Sequence, residues 1–213
     1  MTTICVLDYG VGNLRSIANA LTAAGADVSI SADVATAESA HGLVVPGVGA
    51  FPHVAAKLRQ SGLEQAVLKR VSLGRPVLGV CVGMQMLFSR GLEFEVTAGL
   101  GLIPGSVERM ADPASPIRLP HIAWTEVRQR DNAAAGMFAG LDPARQRFYF
   151  LHSFCAFQVP DEYVAATADY EQHTFVAAVR SGTLWGTQFH PEKSGEAGQQ
   201  FLRNFIALCD GSS

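Results

Sequence analysis

Apolar positions in the first ninety residues fall in short unbroken runs, and between those runs they recur at helical spacing. Residues 3–8 (TICVLD) form one such run, and over residues 13–24 Leu14, Ile17, Ala18 and Leu21 share one helical face. Further strands are predicted over 28–31, 42–45 and 76–80, with a helix over 54–73 broken near Gly62. Short β-rich runs alternating with helices imply parallel βαβ units. The second half changes character: 100–130, 147–159, 163–168 and 174–189 read as strands and turns, closed by a helix over 196–208. The expected fold is α/β, with a doubly wound, mostly parallel central sheet, helices on both faces and a mixed or antiparallel extension. No repeat, low-complexity tract or linker interrupts the pattern, so residues 1–213 read as a single domain.

Composition narrows the function classes. The chain is 48% apolar and 16% charged, as a globular protein with a full core should be. Its formal net charge is −3 and no basic run exceeds scattered pairs, so no nucleic-acid partner is expected. The longest apolar stretch, between Arg75 and Arg90, is too short to span a bilayer. The first residues lack a basic region and read as a strand, not a signal peptide. Cys5, Cys81, Cys155 and Cys209 are widely spaced, which points to free thiols in a reducing cytoplasm rather than a disulfide frame or zinc site. His41, His53, His121 and His173 show no paired ligand spacing, and no metal or other cofactor is expected.

In sheets of this kind the chemistry lies at the carboxyl ends of the strands. Three strand ends stand out. In Gly79-Val80-Cys81-Val82-Gly83 a cysteine sits where a buried strand gives way to a helical pattern. This is the spacing of a nucleophile elbow, whose apex residue is strained and whose near neighbours must be small. The apex would face the positive end of the helix, and the N–H of Val82 would face whatever Cys81 attacks. In Gln188-Phe189-His190-Pro191-Glu192, His190 and Glu192 are two apart. In an extended segment both would point to one face, the arrangement that keeps a general base in one tautomer. The third, PGVGAF at 46–51, would supply a second backbone donor, at Val48, to complete an oxyanion hole with Val82.

The stretches DYGVGNLRS (8–16), PGVGAF (46–51), GVCVGMQMLF (79–88), LPHIAW (119–124), FYFLHSF (148–154) and GTQFHPEKSG (186–195) span the chain. Together they resemble the class I, triad-type glutamine amidotransferases. DYGxGNLRS, PGVGAF and PHIxW set the chain apart from the anthranilate, GMP and pyridoxal phosphate branches. They resemble the branch whose members form a heterodimer with a (β/α)₈-barrel cyclase subunit. The resemblance implies that Cys81 attacks L-glutamine, with His190 as base and Glu192 orienting it. It implies that Gly49, Gln85, Glu93, His152, Ser153 and Phe154 hold the substrate. Asn13, Arg15, Tyr149, Lys193 and the segment 120–124, including His121 and Trp124, would face the cyclase. Departures are mild: Val80 and Val82 stand for the more usual Ile and Leu, Ala123 for Gly, and Phe154 for Tyr. A different cysteine-dependent α/β hydrolase and a docking module without chemistry are the competing readings. Read without the resemblance, Asn13 is a helix N-cap, Trp124 strand packing and Lys193 a solvated charge.

Overall fold

The computed structural model describes residues 1–112, 114, 117–130, 136–142 and 146–211. The first apolar run forms β1 (Thr3–Leu7), which pairs in parallel with β2 (Asp27–Ser31) and β3 (Gly42–Gly47). β3 pairs in turn with β4 (Val77–Cys81), and every residue of both strands is buried. Strands covered on both faces need no polar alternation, which is why they read as continuous apolar runs. The helices between them are α1 (Leu14–Ala23), α2 (Val34–Ser39), α3 (Phe51–Gln60) and α4 (Leu63–Ser72). Gly62, at φ 74°, breaks the expected 54–73 helix into α3 and α4.

Helix α2 escapes the sequence pattern because only Ala37 among its six residues is buried. It is held instead by an N-cap, with Asp33 accepting the Thr36 N–H at 2.8 Å. Arg70 of α4 adds to this. Its fully buried guanidinium donates to the carbonyls of Ala37, Glu38, Ala40, His41 and Pro76, tying the end of α2 to the entries of β3 and β4.

From β4 the sheet continues through β13 (Leu184–Thr187), still parallel, and then turns antiparallel through β12 (His173–Ser181), β11 (Val164–Tyr170), β8 (His121–Gln129) and β9 (Arg147–His152). The nine strands run β2-β1-β3-β4-β13-β12-β11-β8-β9, the parallel core with an antiparallel extension that the pattern predicts. A second sheet, β10-β7-β5-β6, is additional: β5 (Phe88–Gly91), β6 (Thr97–Ala98), β7 (Ile103–Arg109) and β10 (Phe154–Phe157). Within the expected 100–130 segment, residues 113, 115 and 116 lie outside the described residues. The last helix, α6 (Gly195–Cys209), sets Phe201 and Phe205 against Trp185. Among the described residues no helix is long and apolar enough to cross a membrane.

Candidate active site

At the end of β4 the chain turns into α5 (Val82–Gln85) through Cys81, at φ 55° and ψ −112°. A side chain in this region is strained, and the strain lifts the thiol out of the sheet. The flanking glycines follow from contact. A Cβ on Gly83 would lie 1.8 Å from the Val45 carbonyl oxygen, and one on Gly79 would lie 2.7 Å from that of Gly83. A Cβ on Gly47 would lie 2.5 Å from the Gly83 nitrogen. The elbow therefore fits only because three backbones meet without side chains. The helix is a single turn, since the chain enters β5 at Phe88.

Register brings the other strand ends to the same place. Gly47 is the cross-strand partner of Cys81, and Thr187 that of Val80. Just beyond β13, His190 is fixed through its backbone: its N–H donates to the Tyr149 carbonyl at 2.9 Å, and its own carbonyl accepts the Ser194 hydroxyl at 2.6 Å. The segment after it is not extended. Pro191–Lys193 forms a one-turn 3₁₀ helix with proline at its start. That turn still brings Glu192 Oε1 to 2.9 Å from His190 Nδ1, with both side chains almost fully buried. Burial disfavours charge on the imidazole, but hydrogen bonds to Cys81 and Glu192, and their negative charge, outweigh it and raise its pKa to about 10. Glu192 Oε2 is buried without a hydrogen-bond partner among the described residues, so this carboxylate depends on His190 for its charge compensation.

A cleft of about 460 Å³ opens beside Cys81 and His190. Val48, Gly49, Val82, Gln85, Glu93, His152, Ser153 and Phe154 all line it, so every residue expected to bind substrate or stabilise an oxyanion borders one space. Gly49 sits at φ 99°, and a Cβ there would meet nothing within 4 Å. Glu93 also accepts the Phe51 N–H at 2.8 Å, which ties it to the end of the glycine loop. Arg109 and Phe94 line the cleft as well and carry no motif that would have marked them. Arg109 arrives there because β7 pairs with β10, opposite Phe154.

Two expectations change. His121 does not face outward: it is fully buried, stacked on Tyr170 at 4.1 Å between centroids, with Nδ1 3.2 Å from His152 Nε2. Alternate residues of β8 point to opposite faces, so Ile122 and Trp124 are exposed where His121 is not. His152 borders the cleft, yet both its ring nitrogens are already used, by His121 and by the Phe154 carbonyl at 3.0 Å. Trp124, Tyr149 and Lys193 do share a face: the two rings are 6.2 Å apart, and the Lys193 ammonium lies 5.6 Å from the Tyr149 ring. Asn13 and Arg15 are exposed at the start of α1, and the Asn13 side chain makes no cap hydrogen bond.

The two buried histidines predict an acid limit to stability. Burial lowers His121 to about 4; burial, and then the charges of His121 and His190, lower His152 to about 3. Both stay neutral when folded, while the unfolded chain takes up protons below about 6.5. Their contribution is complete above pH 6.5 and is lost as pH falls from there toward 4. His190, raised instead, contributes fully below 6.5 and loses its share only as pH rises toward 10. Urea unfolding between pH 7 and pH 5 should show stability falling by about 1.4 kcal/mol per pH unit for each proton taken up. A flat profile would contradict the neutral pair.

Comparison with known proteins gives a consistent answer. The family model for glutamine amidotransferase class-I matches residues 5–209. The imidazole glycerol phosphate synthase subunit HisH of Mycolicibacterium paratuberculosis is 49% identical over 206 residues, covering 96% of this chain and 97% of that one. The protein of the same name from Nocardia farcinica is 47% identical over 211 residues, with the same coverage. Among solved structures, the crystal structure of a glutamine amidotransferase superposes with TM-score 0.71 at 22% identity, covering 98% of this chain and 98% of that one. PurLQS from Thermotoga maritima does so with TM-score 0.74 at 19% identity, covering 97% and 98%. At those identities the structures speak for the fold alone.

Proposed function

This chain belongs to the class-I glutamine amidotransferase family, with the HisH subunits of imidazole glycerol phosphate synthase, and we propose that Cys81, His190 and Glu192 carry its glutaminase chemistry. The observation that carries this reading is the strained Cys81 apex sharing one cleft with an imidazole that Glu192 Oε1 holds at 2.9 Å. The sulfur attacks the side-chain amide carbon of L-glutamine, and the carbonyl electrons move onto an oxygen facing the Val48 and Val82 amides. His190 gives its proton to the amide nitrogen, which leaves as ammonia, and a γ-glutamyl thioester remains on Cys81. Water attacks the thioester while His190 takes its proton, releasing L-glutamate and restoring the starting pair. Glu93 and Arg109 offer opposite charges to the amino and carboxyl groups of the substrate.

The ammonia passes to a (β/α)₈-barrel cyclase that makes imidazole glycerol phosphate and AICAR in L-histidine biosynthesis. The face bearing Asn13, Trp124, Tyr149 and Lys193 is the docking side, and the chain works as one cytoplasmic domain within that heterodimer. Glutamate release should be small for the chain alone and rise strongly with the cyclase and its nucleotide ligand. Equal release in both conditions would remove the gating, and none in either would remove the glutaminase.

A further inference from the structure

One backbone carbonyl, that of Phe154, fixes the orientation of four polar side chains, those of Gln85, His121, His152 and Gln188. A carbonyl can only accept, and this one receives two donors, His152 Nδ1 and Gln85 Nε2, each at 3.0 Å. On one side the direction propagates outward. With Nδ1–H of His152 committed, its Nε2 must accept, so His121 donates from Nδ1 and its Nε2 accepts the Thr125 hydroxyl at 2.8 Å. On the other side it runs inward. Because the Gln85 atom facing Phe154 must be nitrogen, its second hydrogen meets Gln188 Oε1 at 3.0 Å. With Oε1 so placed, the Gln188 nitrogen is turned to Cys81, 3.7 Å from Sγ.

We propose that Gln188 is a further catalytic residue, whose side-chain N–H donates to the Cys81 sulfur and stabilises the negative charge there before attack and on departure of glutamate. The assignment rests on Cys81 being the nucleophile. Gln188 is fully buried, its backbone N–H donates to the Ala177 carbonyl at 2.9 Å, and its side-chain Oε1 is held by Gln85 at 3.0 Å, so main chain and amide are both anchored. A hydrogen bond to a charged sulfur is worth more than one to a neutral thiol, so the donor favours the charged, reactive form of Cys81 over the neutral thiol. His190 borders the cleft beside the same sulfur, and Gln188 reaches that sulfur from the residue just beyond β13. The fixed polarity also explains why an amide, and not an acid, stands there: a carboxylate would turn a second acceptor toward the sulfur.

The test is Gln188→Met, which keeps much of the volume and removes the donor, assayed in the complex with the cyclase and its nucleotide ligand. Glutaminase kcat should fall about tenfold with KM within about twofold, and the pH profile of iodoacetamide inactivation should move to higher pH. Melting temperature and co-elution with the cyclase report folding. If the methionine variant does not fold, Gln188→Glu decides by the same two readings, since it keeps the shape and the contact with Gln85. Unchanged kcat and profile would overturn the assignment, as would parallel changes in kcat and KM with an unmoved profile. A wild-type complex that releases no glutamate would instead overturn the reading of Cys81, and this assignment with it.

Discussion

Replacing Cys81 by serine should lower glutamate release by about 10⁴-fold or more, while the complex still makes product from added ammonium salts. Serine preserves the shape of the elbow, so the φ of 55° and the meeting of Gly47, Gly79 and Gly83 are undisturbed. What it removes is the acidity of the thiol. The imidazole of His190 is held protonated up to about 10 because burial is outweighed by Cys81 and Glu192 together. A hydroxyl cannot share its proton on those terms, and the nucleophile is lost although the pocket remains. Parallel assays with glutamine and with ammonium ions separate the two effects. Loss of the ammonia-driven reaction as well would mean that Cys81 holds the docking face together.

Gly83→Ala should be the most damaging small substitution in the molecule. The new methyl would lie 1.8 Å from the Val45 carbonyl oxygen, and both atoms belong to backbone that cannot rotate aside. Val45 is the cross-strand partner of Gly79, so relief requires β3 to part from β4 where the site is built. A loss of about 3–5 kcal/mol in urea unfolding is expected, with loss of activity even in molecules that remain folded. Gly49→Ala is the control. Its methyl meets nothing within 4 Å, and only the φ of 99° resists it, for about 1–2 kcal/mol. If both variants were equally stable, the close approach at the elbow would not be what demands glycine.

These contrasts show what the sequence could and could not convey. β3 and β4 are buried on every residue, so their runs were legible, as was the break at Gly62. β6 has two residues, and β10 meets β7 across more than forty positions, so local periodicity carried no trace of the second sheet. The meeting of Cys81, His190 and Glu192 was legible because each ends or follows a strand of the parallel core. The geometry of His190 and Glu192 was not: proline at the first position of a helical turn was the available sign. For His121 the sign was parity. Positions 121 and 124 differ by an odd number, so a strand turns them to opposite faces. Gln188 stands two before His190 in an apolar strand end, a polar residue with a reason to be there.

Everything proposed for this chain requires Cys81 to be the nucleophile toward glutamine. The most direct measurement is peptide mass spectrometry of the complex after exposure to a diazoketone analogue of glutamine. Stoichiometric adduct on Cys81 alone is predicted, formed more slowly by about 10²-fold in His190→Asn and prevented by excess glutamine. Adduct on another residue, or labelling of Cys81 that glutamine does not protect, would contradict it.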